Sequence, residues 1–165
     1  MADGNGAHQA QAQANAAFAA GKYAEARDLY QQVILDHSRN PRNSGELPPP
    51  CLHAHGDNPS CGDEIDVWVR VGDNGHIDDL KFTGQGCAIS QASASMMTQK
   101  IKGKSKDEAA AVREDFRRVV MGDGAPANED ALGELILLEG VQKFPQRVKC
   151  AMLAWRALEQ ALESK

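Results

Sequence analysis

The stretch that decides the fold is IDVWVRVGDNGHIDDLKFT, residues 65–83. In its first part, apolar side chains at every second position alternate with Asp66, Trp68 and Arg70, and these apolar residues are Ile65, Val67, Val69 and Val71. This period of two is typical of a half-buried strand. Residues 72–75, Gly-Asp-Asn-Gly, are turn formers, and a second strand is predicted at about 76–83. The stretch therefore predicts an antiparallel β-hairpin.

A third strand is predicted just before this hairpin, between Cys51 and Gly56. The prolines at 48–50 force an extended chain, and Asn58-Pro59 follows the segment. Because proline cannot donate a hydrogen bond to a neighbouring strand, we expect this strand at an edge of the sheet.

The chain after the hairpin has helical periodicity. Helices are predicted at about 88–102, 105–121 and 146–163, with a short apolar helix or turn at 131–141. Strands come first and helices follow, which indicates an α+β fold rather than a parallel βαβ sheet. We expect a small antiparallel sheet of about three strands packed against helices.

The N-terminal part is different in composition. Residues 1–12 are small and polar and are predicted to be a disordered lead. Residues 13–28 resemble half of a tetratricopeptide repeat, with Gly21 at a turn and a second helix at about 23–38. Because a solenoid needs about three stacked repeats, we interpret the segment as a helical hairpin extension rather than a peptide-binding groove. The main domain is then 29–165.

Length and charge limit the function classes. The 165 residues carry 18 Lys and Arg against 23 Asp and Glu, a net charge of −5. This balance disfavours nucleic acid as a partner. No apolar run reaches the roughly 18 residues of a membrane span, and no secretory signal is recognisable, so we expect a cytoplasmic protein without membrane contact.

The four cysteines are Cys51, Cys61, Cys87 and Cys150. In a chain of this length without a secretory signal, metal binding or thiol chemistry is a better interpretation than disulfides. Cys61 lies in a loop before a strand, Cys87 at a strand–helix junction, and Cys150 in about the first turn of the last helix. Near a helix N-terminus, a thiol pKa is expected to be lowered.

A carboxylate accompanies the first of these thiols. Asp63 follows Cys61 by two residues with Gly62 between them, so both side chains can reach one ion. Three thiolates and one carboxylate would form a closed tetrahedral site, suited to zinc or iron-sulfur chemistry. The chain has no CxxC pair, so spacing alone leaves open three separate structural thiols.

Four motifs, spread over about residues 29–161, favour one shared site over three separate structural thiols. They are YQQVILDH with NPRN at 30–37 and 40–43, NPSCGD at 58–63, GQGCAIS at 84–90, and KC at 149–150. In these motifs and their order the chain resembles the U-type iron-sulfur cluster assembly proteins, in particular the SufU branch. The resemblance implies an IscU-like fold for the main domain.

The resemblance also implies a metal site. The family's ligand positions correspond here to Cys61, Asp63, Cys87 and Cys150, and all four residue types are present. Cys61 matches the cysteine that accepts sulfur from a cysteine desulfurase. Arg147 occupies a family arginine position from which it would stabilise thiolate or persulfide charge, although spacing alone fits a solvated charge at a helix start equally well.

Three features favour the SufU branch over the scaffold branch. The scaffold branch has a His before its last Cys, where this chain has Lys149, and a Leu-Pro-Pro-Val-Lys stretch that this chain lacks. The segment from about Lys102 to Gly122 is extra, as expected of a surface insertion.

The sequence therefore predicts a zinc-dependent sulfurtransferase in iron-sulfur cluster assembly. It would accept persulfide sulfur from a SufS-type cysteine desulfurase and relay it to downstream cluster assembly scaffold proteins. The alternative is a scaffold on which an iron-sulfur cluster is itself assembled. A third interpretation, a binding module with structural zinc, uses the fewest of the motifs.

The remaining candidates lie outside the family ligands. We interpret His37, on an apolar helical stripe, as a packed residue. Cys51, His53 and His55 alternate and could bind metal, but Cys51 has no family counterpart, so we interpret it as an incidental thiol.

Overall fold

The computed structural model describes Gln13 and residues 23–164. In this part of the chain, three strands come between a first helix and a run of later helices, as expected of the α+β class. The elements are α1 (Tyr23–Arg39), β1 (Leu52–Asn58), β2 (Asp63–Val71), β3 (Ile77–Gln85), α2 (Ala88–Ile101), α3 (Lys106–Met121), α4 (Glu129–Leu132), a 3₁₀ helix (Gly133–Lys143) and α5 (Pro145–Glu163).

The three strands form one antiparallel sheet in the order β1-β2-β3. The predicted edge strand is confirmed, because β1 pairs only with β2 in this sheet. One face of β2 is buried through Ile65, Val67 and Val69, and the opposite face carries Asp66 and Trp68. The alternation in the sequence therefore predicts which face of the sheet meets the core.

The core lies between this buried face and the helices. Helix α5 packs against β1 and β2, and α2 packs against both β3 and α5. At their contact, Trp155 is fully buried and its indole Nε1 donates to Ser93 Oγ at 3.1 Å. Ser93 Oγ in turn donates to the Ala151 carbonyl at 2.6 Å, so the two helices are joined by polar as well as apolar contacts.

The segment predicted as a surface insertion is a core helix. Helix α3 starts at the Ser105 cap, whose hydroxyl accepts from the Glu108 amide, and ends at Gly122, with φ of 73°. Phe116 is fully buried and stacks on Trp155 with ring centroids 5.0 Å apart. The expectation of a mere surface insertion is wrong in this respect, because the apolar stripe of α3 extends the core.

The predicted helix or turn at 131–141 is observed as α4 followed by the 3₁₀ helix. The loop before it is fixed by the buried Asp115, whose carboxylate accepts from the Ala127 and Asn128 amides at 2.9 and 3.0 Å. The 3₁₀ helix brings Glu134 to His37 of α1, with Nε2 and Oε2 2.6 Å apart. His37 is 1% exposed, which confirms that it is a packed residue.

The predictions for the N-terminal part lie largely outside the described residues. This applies to the disordered lead at 1–12 and to the turn at Gly21. Helix α1 runs without a break through residues 28 and 29, the predicted boundary between the N-terminal extension and the main domain. The division itself stays a prediction. Within residues 23–164, no helix combines the length and the apolar character that crossing a membrane would require.

Candidate metal centre

The turn between β1 and β2 presents Cys61. The amides of Cys61 and Gly62 both donate to the Asn58 carbonyl, at 3.2 and 2.8 Å. Gly62 has φ of 72°, a left-handed conformation that glycine adopts without strain. Cys61 is exposed in this short turn, so its thiol can be reached from solvent.

Asp63, the first residue of β2, is held in place by the β3–α2 junction. Its carboxylate is 1% exposed, and Oδ1 accepts from the Cys87 backbone amide at 2.9 Å. A Cβ on Gly86 would overlap this carboxylate, so only glycine fits at that position. The second oxygen, Oδ2, lies 4.0 Å from Cys87 Sγ and faces the thiols.

Cys150 approaches the same point from α5. It lies in the second turn of that helix rather than the first, and it is fully buried. Burial raises the pKa of the Cys150 thiol, and hydrogen bonds with Asp63 and Cys61 act in the same direction. The expectation of a lowered pKa is therefore wrong for Cys150, because desolvation outweighs the helix dipole one turn into the helix.

The structure brings the sequence-predicted ligand residues together. The ligand atoms of Cys61, Asp63 and Cys150 all lie within 4.8 Å of one another, and Cys87 adjoins them through Asp63. In tetrahedral zinc sites with Zn–S bonds of about 2.3 Å, neighbouring ligand atoms are about 3.5–4 Å apart. To complete such a site, Cys87 Sγ would have to join the three ligand atoms that already lie within 4.8 Å of one another. Three sulfurs and one oxygen are a donor set that fits zinc.

Arg147 stands beside this cluster, in the first turn of α5. The charge of a Cys87 thiolate and a hydrogen bond to it raise the pKa of the Arg147 guanidinium, with smaller contributions from Cys150 and Cys61. Arg147 is itself exposed, so its role at the site stays a prediction. An open cleft of about 650 Å³ leads to the cluster and is lined by Cys61, Lys143, Phe144, Pro145, Gln146 and Arg147.

Two neighbours of the cluster were not assigned from the sequence. Asn58 is buried, and its Nδ2 donates to Cys150 Sγ at 3.7 Å. The sequence signal for Asn58 is that a polar residue stands at the last position of β1, where the side chain is buried. Phe144, at the cleft, is 61% exposed, which is unusual for so large an apolar side chain.

Cys51 is not brought to the cluster. It precedes β1 at the end opposite to Asn58, and its Sγ donates to the Leu47 carbonyl at 3.6 Å. At about 3.4 Å per residue, the seven-residue strand separates it from Cys61 by about 20 Å or more.

Comparison with known proteins gives consistent matches. Residues 29–151 match the family model for the NifU-like N-terminal domain. The chain is 47% identical over 135 residues to the iron-sulfur cluster assembly scaffold protein IscU of Streptococcus pyogenes serotype M1, covering 82% of this chain and 83% of the relative. It is 46% identical over 134 residues to the zinc-dependent sulfurtransferase SufU of Bacillus subtilis (strain 168), covering 81% and 89%.

A solved structure has the same fold. The crystal structure of FiSufU from Fervidobacterium islandicum AW-1, described as an iron-sulfur cluster assembly scaffold protein for the SUF system, superposes with a TM-score of 0.73 at 38% identity. The match covers 79% of this chain and 93% of that one.

Proposed function

The chain belongs to the family of NifU-like N-terminal domains, and from this premise we propose that it is a zinc-dependent sulfurtransferase in iron-sulfur cluster assembly. Its sulfur donor is a SufS-type cysteine desulfurase, and its sulfur passes on to downstream cluster assembly scaffold proteins. The observation that carries the proposal is the exposed Cys61 at the edge of an otherwise buried group of ligands. We place the protein in the cytoplasm.

The metal in this proposal is held by Cys61, Asp63, Cys87 and Cys150. Bound zinc would keep the thiols deprotonated at neutral pH, which is the chemistry it supplies. The Cys87 amide orients Asp63 for this role. It donates a hydrogen bond to Oδ1, so Oδ2 faces the sulfur atoms. The Asn58 amide donates to Cys150 Sγ and stabilises it as a thiolate.

Cys61 accepts the sulfur. Its thiolate attacks the outer sulfur of the desulfurase persulfide, so that a new S–S bond forms on Cys61 while the old S–S bond breaks. The electron pair of the broken bond stays on the desulfurase cysteine, which leaves as a thiolate. The proton of the persulfide remains on the transferred sulfur, and no external oxidant or reductant is needed.

The location of Cys61 suits this step better than the locations of the other thiols. Cys150 is fully buried and Cys87 is half-buried at the N-cap of α2, whereas Cys61 is exposed on the four-residue turn between β1 and β2. A turn can move away from the cluster without displacing a helix. Arg147, at the cleft wall, can pair with the charge of the persulfide as it forms.

The test is the alanine production of a SufS-type desulfurase, measured with and without this protein. We expect a clear stimulation that requires the zinc-loaded form, together with one zinc per chain by mass spectrometry. Absence of stimulation by a zinc-loaded, folded protein would contradict the proposal.

A scaffold function is the second candidate. It is favoured by the relative named a scaffold, which is 47% identical over 135 residues. The visible absorption spectrum of the purified protein distinguishes the two functions. A sulfur-relay protein with bound zinc is colourless, whereas a scaffold purified with an iron-sulfur cluster has stable visible absorption. Transfer of an assembled cluster to an acceptor protein would favour the scaffold function.

A further inference from the structure

A second group of metal-binding side chains lies on the outward face of the sheet. His53 and His55 occupy alternate positions of β1, and both are about half exposed. In the β1–β2 register His55 is directly opposite Asp66, and His53 is directly opposite Trp68. Cross-strand partners on one face have Cβ atoms about 5 Å apart, so these side chains meet.

Both histidines converge on one oxygen. His53 Nε2 lies 2.8 Å from Asp66 Oδ1, and His55 Nδ1 lies 3.2 Å from the same atom. One divalent ion could bind this oxygen and both nitrogens once the two imidazoles rotate toward each other, because each nitrogen already lies within 3.2 Å of the oxygen. We propose that His53, His55 and Asp66 form a second metal site, which takes a divalent transition ion such as Ni²⁺.

The ligands define the class of ion. Two imidazole nitrogens and one carboxylate oxygen suit nickel, copper and zinc, and they do not suit magnesium or calcium. The exposed fractions of 44%, 49% and 31% for His53, His55 and Asp66 leave room for water at the remaining coordination positions. They also allow the small rotations by which the two nitrogens would close on one ion.

This group is separate from the cysteine cluster. Asp63 and Asp66 are three residues apart on β2, about 10 Å along the strand, and point to opposite faces of the sheet. The cysteine cluster combines thiolates with a buried carboxylate, whereas the outward group has no sulfur. The inference therefore does not depend on the proposed sulfur transfer.

Trp68 provides a local reporter. Its ring lies against the His53 ring, with centroids 4.9 Å apart. The other tryptophan of the sequence, Trp155, is fully buried in the core. Because a bound paramagnetic ion quenches an indole next to it, nickel at His53 should reduce the Trp68 fluorescence.

The experiment is a titration of the zinc-loaded protein with Ni²⁺, followed by tryptophan fluorescence and by native mass spectrometry. We expect one nickel to bind per chain with the zinc retained. The tryptophan fluorescence should fall in proportion to the fraction of chains that carry nickel. The double variant His53→Ala/His55→Ala should lose both the bound nickel and the quenching, and Asp66→Asn should weaken them. The matched control is His76→Ala, because His76 lies beside Asn74 in the β2–β3 turn. This variant should bind nickel as the native chain does.

Two further observations make the result decisive. Trp68→Phe should keep the nickel and lose the quenching, which locates the ion next to His53. Zinc retained by each variant shows that the variant is folded. The proposal is overturned if nickel binds only by releasing zinc, if no nickel binds, or if the double variant binds nickel as well as the native chain.

Discussion

At the scale of single residues, Cys61 and Cys51 form a natural pair for comparison. Both are cysteines beside β1, one at each end of that strand, and of the two only Cys61 belongs to the candidate metal centre. We predict that Cys61→Ala abolishes the stimulation of the desulfurase, because no exposed thiolate then remains in the cluster. Cys51→Ala should leave the stimulation intact, because this thiol lies outside the candidate metal centre. The measurement is alanine production by the desulfurase.

Mass spectrometry gives a second reading of the same prediction. A persulfide adds about 32 Da to the cysteine that carries it. We expect this adduct on the peptide containing Cys61. An adduct on Cys51, or full stimulation by Cys61→Ala, would refute the assignment of Cys61 as acceptor.

Gly86 controls the metal site without being a ligand. Its Cα approaches the Asp63 carboxylate so closely that a Cβ would overlap Oδ1, and Ser90 Oγ would be 2.8 Å away. We predict that Gly86→Ala displaces Asp63 and weakens zinc binding by about 10–100-fold, the usual cost of disturbing a residue that orients a ligand. Competition with a chromophoric chelator measures the affinity.

The control for this prediction is Gly140→Ala. A Cβ at Gly140 meets nothing within 4 Å, so zinc affinity should not change. Equal affinities of the two variants would mean that Asp63 tolerates displacement and is not a strong ligand.

A buried histidine of α1 contacts the 3₁₀ helix. His37 joins Ser95 Oγ at 2.8 Å and Glu134 Oε2 at 2.6 Å, and it is almost fully buried. We predict that His37→Ala lowers the free energy of unfolding by about 3 kcal/mol, because the substitution removes the buried contacts of the imidazole with Ser95 and Glu134 and leaves a cavity. Ser38→Ala, on the exposed side of the same helix, should change it by less than about 0.5 kcal/mol.

Urea denaturation measures both variants. A destabilisation by His37→Ala no larger than that by Ser38→Ala would mean that α1 is held by its apolar contacts alone.

The sequence predicted most elements because their periodicity is local. The alternation of β2 and the prolines around β1 determine the sheet and its edge strand without reference to the rest of the chain. The role of α3 was misjudged, because an apolar stripe does not reveal which residue it meets, and Phe116 meets Trp155 39 positions later.

The metal site was predictable only in part. The resemblance, not the spacing, brought Cys61 and Cys150 into one site, since 89 residues separate them in the chain. The pKa of Cys150 was predicted with the wrong sign because the exact first residue of α5 and the burial of the thiol are tertiary facts. Asn58 was missed because its partner, Cys150, belongs to a distant helix.

At the scale of the whole molecule, the proposed zinc joins a turn, a strand, a helix start and the last helix. Zinc at about 100 times its dissociation constant stabilises a fold by about 2.7 kcal/mol. For a chain of this size, 1 kcal/mol shifts Tm by about 2–4 °C. We therefore predict that removing zinc with a chelator lowers Tm by about 5–10 °C.

A melting curve in calorimetry tests this value. Cys51→Ala should show the same shift as the native chain, because Cys51 lies outside the cluster. A metal-free protein that melts at the same temperature as the zinc-loaded one would show that the cluster does not contribute to the fold.

The pairing of the strands sets an order for folding. The strand order in the sheet is β1-β2-β3, so each strand pairs with a strand that is next to it in the chain. Formation of the sheet therefore requires the closure of short loops only. Helix α5 packs on β1 and β2, which are far from it along the chain. Contacts between distant parts of a chain form more slowly than local ones. We therefore expect the sheet to assemble first and α5 to dock late. Because Cys150 would reach the other ligands only with α5, we expect bound zinc to slow unfolding and to leave the folding rate almost unchanged.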